Sequence, residues 1–341
     1  MRILFNTYRS DDLVNLNVVH YLEQEVARIA ECQWSGRGWE SHVPGEPIDE
    51  TVRRLYGNDP PDFIVDNNAD LPEYRRLSDA RTRDTPRMVM TVNDMHLDPE
   101  DWVATANKGF SGVLMRYLYC PYAKRKLLSR FDLIRKLSPT YYLDNLKVPC
   151  LHFPWFTDER IYSPSEEKDH DVVFLGSYRK RIYPLRHDLY HNLPKLCNGH
   201  GYRCLVGGRP PGKTPDRNIS ALAKQGYFVG DSYARTVARS KIFIFGNSIF
   251  DYPLSKYFEV MGSGTLVMAD RPQTEKELHF EPGVNYVAIT REDWREKLVY
   301  YLENEDERER IARNGYETVT RYHSSRVRAR QLVDFLQKLG G

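Results

Sequence analysis

Residues 251–271 read DYPLSKYFEVMGSGTLVMADR, and this stretch carries the pattern that decides the fold. The residues after Pro253 predict a helix, a Gly-Ser-Gly turn ends it, and the apolar run 265–269 predicts a buried strand. Two carboxylates, Asp251 and Glu259, flank the start of this helix. Backbone N–H groups at a helix start bind phosphate, and carboxylates accept hydrogen bonds from hydroxyls. The stretch therefore predicts a helix–strand pair with a site suited to a sugar nucleotide.

Strand-like and helix-like runs alternate along the rest of the chain. The predicted strands are 2–7, 62–67, 87–93, 112–117, 171–177, 202–208, 228–230, 241–247 and one near 285–289. The predicted helices are 12–30, 48–57, 99–107, 121–136, 184–197, 231–239, 291–303, 305–321 and 324–339. This alternation predicts an α/β fold of parallel sheets covered by helices, in which ligands bind at the carboxyl ends of the strands.

The alternation of strands and helices stops at residues 145–165, where three prolines and the lack of a sustained period predict a linker. We therefore expect two doubly wound, Rossmann-like domains that face an interdomain cleft. Residues 1–150 are expected to form the N-terminal domain, and residues 151–323 are expected to form the C-terminal domain, which contains the stretch suited to a sugar nucleotide. A last helix, 324–341, can cross back to the N-terminal domain.

The composition narrows the class of protein. The net charge of +2 over 341 residues does not favour nucleic-acid binding, although local basic clusters remain. No apolar run is long enough for a membrane span, and the N-terminus lacks a signal-peptide pattern. The five cysteines are scattered and form no CxxC pair, so neither a zinc site nor a disulfide framework is indicated. These features lead us to expect a cytoplasmic enzyme.

Several motifs accompany the Asp251-x7-Glu259 pair in a fixed order. They are LHFPWFTDERIYSP (151–164), FLGS (174–177), YFVGDSYARTVARSKIFIFGN (227–247), FEVMGSGTLVMAD (258–270), HFEPGVNYVAI (279–289) and the helical run 300–336. Together they resemble the C-terminal half of retaining group 1 glycosyltransferases of the GT-B fold, whose motif is Glu-x7-Glu. The spore-maturation, CgeB-like branch is the most similar. The resemblance covers roughly residues 150–340, and the first half matches by fold pattern alone.

The resemblance implies roles for the residues of this motif. Glu259 would bind the ribose hydroxyls of the donor, and Asp251 would lie near the donor sugar. Backbone N–H groups around Leu254 and Ser255 would receive the diphosphate. A different reading of the residues alone stays open, in which Asp251 is a turn residue and Glu259 is a charge on a helix surface.

Positive charge must meet the departing diphosphate. The family usually carries Arg and Lys after the first strand of its C-terminal domain, where this chain reads GSYRKRIYPLR (176–186). Ser177 stands at the usual Arg position, next to Gly176, so Arg179, Arg181 and Lys256 are the candidate replacements. The two arginines can equally be solvated loop residues.

The N-terminal half carries weaker signals. The loop after the first strand, 6–15, has no glycine, unlike that of many relatives. Relatives often carry a His after the corresponding strand, and the aligned residue here is either Asn93, with Asp94 after it, or His96, so His96 is a candidate catalytic residue. Asn67, Asn68 and Asp70 follow another strand and should face the cleft.

The resemblance implies a retaining, metal-independent glycosyltransferase of the hexosyltransferase type (EC 2.4). It would use a UDP- or GDP-sugar as donor and would need no further cofactor. The acceptor, whether glycan, lipid, protein or nucleic acid, is undetermined, and peripheral membrane contact is compatible with the sequence. Two alternatives stay open, a nucleotide-sugar epimerase of the GT-B fold and a non-catalytic module that binds a nucleotide or sugar.

Overall fold

The computed structural model describes residues 1–14, 16–67, 86–127, 131–208 and 218–341. It divides into two compact units. The N-terminal unit comprises Met1–Asp11, Val19–Pro154 and Arg328–Gly341, and the C-terminal unit comprises Asp12–Val18 and Trp155–Val327. None of the described helices has the length and apolar character needed to cross a bilayer.

The N-terminal unit is built on a parallel sheet. Its strands are β1 (Arg2–Asn6), β2 (Glu31–Ser35), β3 (Phe63–Asp66), β4 (Arg87–Val92), β5 (Gly112–Met115) and β8 (Cys150–His152). Its helices are α1 (Asn17–Ala27), α2 (Ile48–Tyr56), α3 (Pro99–Gly109), α4 (Tyr141–Asn145) and α11 (Ser325–Gly340). The strand order is β2-β1-β3-β4-β5-β8. The buried runs in β1, β3, β4 and β5 explain why these strands lie inside the sheet, because a parallel sheet is covered on both faces. Gly112 has no side chain, which lets Phe335 and Leu339 of α11 pack directly on β5.

The helix predicted for residues 121–136 is wrong. Instead, β6 (Tyr122–Leu127) and β7 (Phe131–Lys136) form an antiparallel hairpin, which is a two-stranded sheet of its own. Tertiary pairing holds the first strand, because the backbone N–H of Lys124 donates to His96 O at 2.6 Å and Leu97 forms a bridge to Lys124. Ala123 is fully buried beside this pairing. Tertiary context overrides local helix propensity here.

The C-terminal unit has a second parallel sheet. Its strands are β9 (His170–Gly176), β10 (Cys204–Gly208), β11 (Ser240–Phe245), β12 (Leu266–Ala269) and β13 (Val287–Ala288). Its helices are α5 (Pro184–His200), α6 (Ile219–Lys224), α7 (Gly230–Ala238), α8 (Ser255–Gly262), α9 (Trp294–Glu303) and α10 (Glu305–Tyr322). The strand order is β10-β9-β11-β12-β13, so the chain adds β10 on one side of β9 and then continues on the other side with β11. In doubly wound sheets, such a reversal of strand order leaves a crevice at the carboxyl ends of the two strands.

The strand predicted at 228–230 is wrong, since Gly230 begins α7. The hydroxyl of Ser232 accepts a hydrogen bond from the backbone N–H of Val229 at 3.1 Å. The helix start therefore satisfies this backbone donor, and no strand partner is needed. The helix predicted after Pro253 and the strand predicted at 265–269 are both confirmed, as α8 and β12.

Candidate functional site

The carboxyl edge of the C-terminal sheet gathers polar groups from three neighbouring strands. Gly176 ends β9, Gly246 and Asn247 follow β11, and Asp270 follows β12. The backbone N–H of Asn247 donates to the Asp270 carboxylate at 2.5 Å, which joins the last two strand ends. This edge includes the β9–β11 reversal, so the sequence brings its candidate residues to the place where such sheets bind ligands.

Glu259 lies on α8 and is only 4% exposed. Its neighbours on the helix are apolar and pack into the unit, so the carboxylate is carried inward with them. The hydroxyl of Tyr233, from α7, donates to Glu259 Oε2 at 2.8 Å. Burial and the nearby Glu259 carboxylate raise the pKa of Tyr233 well above its ordinary value, so the hydroxyl stays a donor. A carboxylate accepts several hydrogen bonds, so Glu259 keeps acceptor sites for further hydroxyls beside Tyr233.

Lys256 stands one turn before Glu259 on α8. Its ammonium nitrogen Nζ donates to the hydroxyl oxygen of Tyr233 at 3.2 Å. It also lies 4.8 Å from the centre of the Tyr233 ring and 5.3 Å from that of Phe243. Aromatic faces stabilise a cation at these distances. The structure therefore brings two predicted residues, Glu259 and Lys256, together around a tyrosine that the sequence did not indicate.

Arg186 is a buried arginine that sequence reasoning missed. It lies on α5, and its guanidinium Nε donates to the carbonyl oxygen of Gly246. A Cβ placed on Gly176 would lie 3.5 Å from Arg186 Nη1 and 3.6 Å from Lys256 Cε. Gly176 has a φ of 153°, which favours glycine. Two cationic side chains thus converge on the backbone at the end of β9.

The electrostatics of Arg186 fit a site for an anion. Burial removes water from the guanidinium and lowers its pKa. The nearby Asp270 carboxylate raises the pKa. A guanidinium is always charged under physiological conditions, so a buried one gains from an anionic partner. The signal in the sequence was weak but present, because Arg186 interrupts the apolar pattern of Leu185, Leu189 and Leu193.

Asp251 and Asp270 form a pair of interacting carboxyls. The pKa of Asp270 is raised to about 7, because burial and, to a smaller extent, the Asp251 carboxylate outweigh the lowering effects of the Asn247 N–H and Arg186. Partial desolvation also raises the pKa of Asp251, which otherwise lies at an exposed turn with a φ of 53°. Asp270 is the second residue that sequence reasoning missed, although it falls inside the opening stretch.

The other predicted residues of the C-terminal unit lie around this group. Leu254 caps α8 and Ser255 begins it, and both are partly exposed. Ser177 is partly exposed in the loop after β9. Arg179 and Arg181 are exposed in that loop, and the backbone carbonyl of Arg179 accepts from Ile182 and Tyr183 at 3.0 and 2.8 Å. By contrast, the side chains of Arg186 and Lys256 both approach Gly176.

His96 is buried in the N-terminal unit beside the base of the β6–β7 hairpin, with 8% of its surface exposed. Burial and the nearby Lys124 lower its pKa to about 3, so the imidazole is neutral at physiological pH. Asn67 follows β3, donates to Glu23 at 3.2 Å and accepts from Thr91 at 2.5 Å. The neighbouring candidates Asn68 and Asp70 lie outside the described residues.

Glu23 is the centre of a buried polar group at the carboxyl edge of the N-terminal sheet. It is 1% exposed and accepts hydrogen bonds from Trp34 Nε1 at 3.0 Å and from Asn67. Burial raises its pKa from 4.5 to about 8. A carboxyl with a raised pKa stabilises the fold fully below its unfolded pKa. That stability is lost as the pH rises through the folded value.

Glu23→Gln is therefore expected to flatten the pH dependence of stability. Relative to this variant, the wild type should lose roughly 2–4 kcal/mol of unfolding free energy between about pH 5 and about pH 8. Urea unfolding of both proteins across this range measures the difference. Taking the difference cancels the contributions of Asp270, His96 and other titrating groups. A constant difference between the two proteins would contradict the buried, neutral state of Glu23.

Tyr233→Phe is expected to leave the Glu259 carboxylate less firmly oriented without unfolding the unit. The variant removes the hydroxyl that donates to the carboxylate, so binding of the sugar nucleotide that the sequence leads us to expect should weaken by about fivefold. The matched control is Tyr300→Phe, because the hydroxyl of Tyr300 donates to Glu307 at 2.7 Å on an exposed surface of the same unit. Calorimetric titration with a UDP-sugar, one of the two donor classes that the resemblance implies, compares the two variants. Equal affinities would show that Tyr233 does not position Glu259.

The described residues contain no group of three or more His, Cys, Asp or Glu side chains arranged to hold a metal ion. Lys256 and Arg186 are cationic side chains that approach this edge.

Much of the segment that carries this site resembles a known protein family. Residues 186–334 match a family model described as glycosyl transferase-like. This segment runs from Arg186 through Asp251, Glu259 and Asp270 and into α11. It contains α8, β12 and most of the sheet edge described above. No curated protein sequence matches the chain.

Solved structures of low identity resemble nearly the whole chain. The Anabaena protein HepE in complex with UDP-glucose has a TM-score of 0.66 at 15% identity, over 99% of this chain and 100% of that one. Sucrose-phosphate synthase from Thermosynechococcus elongatus has a TM-score of 0.63 at 13% identity, over 99% of each chain. A glycosyltransferase from Rickettsia africae has a TM-score of 0.62 at 13% identity, over 99% and 98% of the two chains. These similarities confirm the GT-B fold predicted from the sequence.

Proposed function

We propose that this chain is a glycosyltransferase that takes a sugar from a nucleotide-diphosphate sugar and passes it to an acceptor hydroxyl. The observation that carries the proposal is the buried Glu259, held by Tyr233 beside Lys256 at the sheet edge where doubly wound folds bind ligands. The glycosyl transferase-like match of residues 186–334 supports the reaction class. The HepE structure contains UDP-glucose, which makes a UDP-sugar the first donor to test and a GDP-sugar the second.

In this proposal, the carboxylate of Glu259 accepts hydrogen bonds from the two ribose hydroxyls of the donor. It is buried and already oriented by Tyr233, so binding requires little further ordering. A ligand without these hydroxyls would leave the carboxylate desolvated and poorly satisfied, which is how such a site rejects it. Nucleotide specificity at the ribose therefore follows from a single side chain.

The diphosphate is proposed to lie at the start of α8, against Leu254 and Ser255, with Gly176 and Ser177 opposite. Lys256 and Arg186 would offset its charge, since both approach the backbone of Gly176. Arg179 and Arg181, exposed in the adjoining loop, stay candidates for a second layer of positive charge. We infer metal independence from this supply of cationic side chains, which stabilise the negative charge that develops on the leaving group.

We propose that the transfer retains the configuration at the anomeric carbon and does not need a strong general base from the protein. The bond from the sugar C1 to the phosphate oxygen breaks, and a bond from C1 to the acceptor oxygen forms on the same face. The acceptor proton passes to the departing phosphate oxygen. The chain's own groups position the reactants and stabilise charge. Asp251, which lies at an exposed turn and interacts with Asp270, would accept a hydrogen bond from a hydroxyl of the donor sugar.

Fewer of the described residues bear on acceptor binding than on donor binding. His96 stays a candidate acceptor contact in its neutral form, because its pKa of about 3 excludes a role as a cation. The order of motifs supports a place in the spore-maturation, CgeB-like branch and a hexosyltransferase activity. The scattered cysteines support a cytoplasmic setting.

The experiment that tests the function is donor turnover across UDP-, GDP- and ADP-sugars. The expected result is release of free nucleotide diphosphate from a UDP- or GDP-sugar without added metal and in the presence of a chelator. NMR analysis of a transfer product then assigns the anomeric configuration. An inverted product would overturn retention, while a complete failure to bind or turn over any donor would overturn the transferase assignment.

A further inference from the structure

The β6–β7 hairpin of the N-terminal unit exposes large apolar side chains next to basic ones. Leu133 is 50% exposed, Ile134 is 43% exposed and Leu97 is 39% exposed. Lys124 lies between two of them, since it pairs with Ile134 across the hairpin and forms a bridge to Leu97. Side chains of residues paired across strands share a face, so Leu97, Lys124 and Ile134 form one mixed surface.

The β7 strand is exposed on both faces near Leu133 and Ile134. Consecutive residues in a strand point to opposite faces, and both Leu133 and Ile134 are exposed, so both faces are open at this point. The base of the hairpin is anchored by the buried Ala123 and by the ion pair of Arg135 with Glu100 at the start of α3. A two-stranded hairpin alone is only marginally stable in water, and exposed apolar patches mark interaction sites.

The charge of the hairpin sequence indicates which kind of partner this surface binds. The sequence YAKRKLLSRFDLIRK (122–136) holds six basic residues and one acidic residue, whereas the whole chain has a net charge of only +2. Lys136, next to the exposed pair, is itself exposed. A partner must accept aliphatic side chains and also carry negative charge. An anionic phospholipid surface does both, with basic residues attracted to the headgroups and apolar side chains entering the acyl boundary.

We propose that the β6–β7 hairpin binds the surface of anionic membranes. Leu133 and Ile134 insert at the headgroup–acyl boundary, and Lys124 and Lys136 contact anionic headgroups. A nucleic acid would fit less well, because sequence-tolerant binding of single strands uses aromatic stacking, whereas the exposed apolar residues here are aliphatic. The inference does not depend on the proposed transfer reaction, and its test requires no donor or acceptor.

The test is co-sedimentation of the full chain with vesicles. One set contains phosphatidylcholine alone, and the other contains phosphatidylcholine mixed with phosphatidylglycerol. The wild type should partition to the anionic vesicles about tenfold or more strongly than to the neutral ones. Leu133→Ser combined with Ile134→Ser should lower that partition by about tenfold. Lys136→Glu should lower it by about fivefold or more.

Matched controls are Ile29→Ser, an exposed isoleucine of the same unit (51%), and Lys195→Glu, an exposed lysine of the C-terminal unit. Both should bind anionic vesicles as the wild type does. Thermal melting checks that each variant is folded, and a salt titration of the wild type gives a readout that needs no variant. Binding should weaken as salt rises, because the attraction is partly electrostatic.

Three outcomes would overturn the proposal. The first is equal partition to neutral and anionic vesicles, including no binding to either. The second is unchanged binding of both hairpin variants while they stay folded. The third is tight binding of a single-stranded oligonucleotide that the hairpin variants lose while their vesicle binding persists, which would assign the surface to nucleic acid.

Discussion

Glu259→Gln is expected to weaken the binding of UDP-glucose by about ten- to a hundredfold. Glutamine has nearly the same size, and its carbonyl can still accept the hydrogen bond from Tyr233, so the helix should stay in place. Its amide group cannot accept from a hydroxyl, and the charge that strengthens hydrogen bonds from the ribose is gone. Isothermal titration calorimetry with UDP-glucose and with UDP alone measures the effect. Both ligands should lose the same factor, because both carry the ribose.

The matched control for this variant is Glu307→Gln. Glu307 also accepts a hydrogen bond from a tyrosine, Tyr300, within the C-terminal unit, but this pair is on an exposed surface. Its replacement should leave both affinities within a factor of about two. If Glu259→Gln binds UDP as tightly as Glu307→Gln does, the ribose assignment is wrong.

Asp251→Asn is expected to lower the turnover of the donor by about a hundredfold, while the affinity for UDP changes by less than about threefold. The proposed contact is with the sugar and is strongest when charge develops at the anomeric carbon. Asparagine suits this position, because Asp251 has a φ of 53° and Asn tolerates the left-handed region. The substitution thus changes the charge without adding backbone strain, which Asp251→Ala would do.

The matched control is Asp98→Asn, because Asp98 is another aspartate with a positive φ, 44°, and lies at the start of α3 in the N-terminal unit. Steady-state release of UDP gives turnover, and calorimetry gives affinity for both variants. A loss of UDP affinity as large as the loss of turnover would place Asp251 at the nucleotide instead of the sugar. Unchanged turnover would remove it from the site.

The sequence was most informative where one continuous stretch encodes both a helix and the residues it carries. Glu259 and Lys256 share a helical face at a spacing of three residues, so their proximity could be read directly. Tyr233, the partner of both, is 26 residues before Glu259 and lies on α7. Nothing in its own neighbourhood distinguishes it from the other tyrosines, because its role depends on the packing of two helices.

Arg186 and Asp270 show two further limits. Arg186 donates to the carbonyl of Gly246, which is 60 residues away, so only the strand order brings the two together. The apolar pattern of α5 gave a usable hint, since a charged residue at a core position needs a buried partner. Asp270 follows its strand directly, and its raised pKa arises from burial and from Asp251, which neither periodicity nor composition reveals.

The errors of secondary structure have the same origin. In residues 121–136, apolar residues at 123, 127, 131 and 134 recur at a helical spacing, yet the backbone pairs as a hairpin. The short strand β2 was missed because the predicted helix ran up to residue 30 and the strand is only partly buried. In both regions, the pairing partner and not the local pattern decides the structure.

A crystal structure of the chain with UDP-glucose would show where the ribose and the diphosphate bind. The two ribose hydroxyls are expected to lie within hydrogen-bond distance of the Glu259 carboxylate. The diphosphate is expected at the start of α8, beside Lys256 and Arg186. A ribose bound elsewhere, with Glu259 still held only by Tyr233, would contradict the ribose assignment.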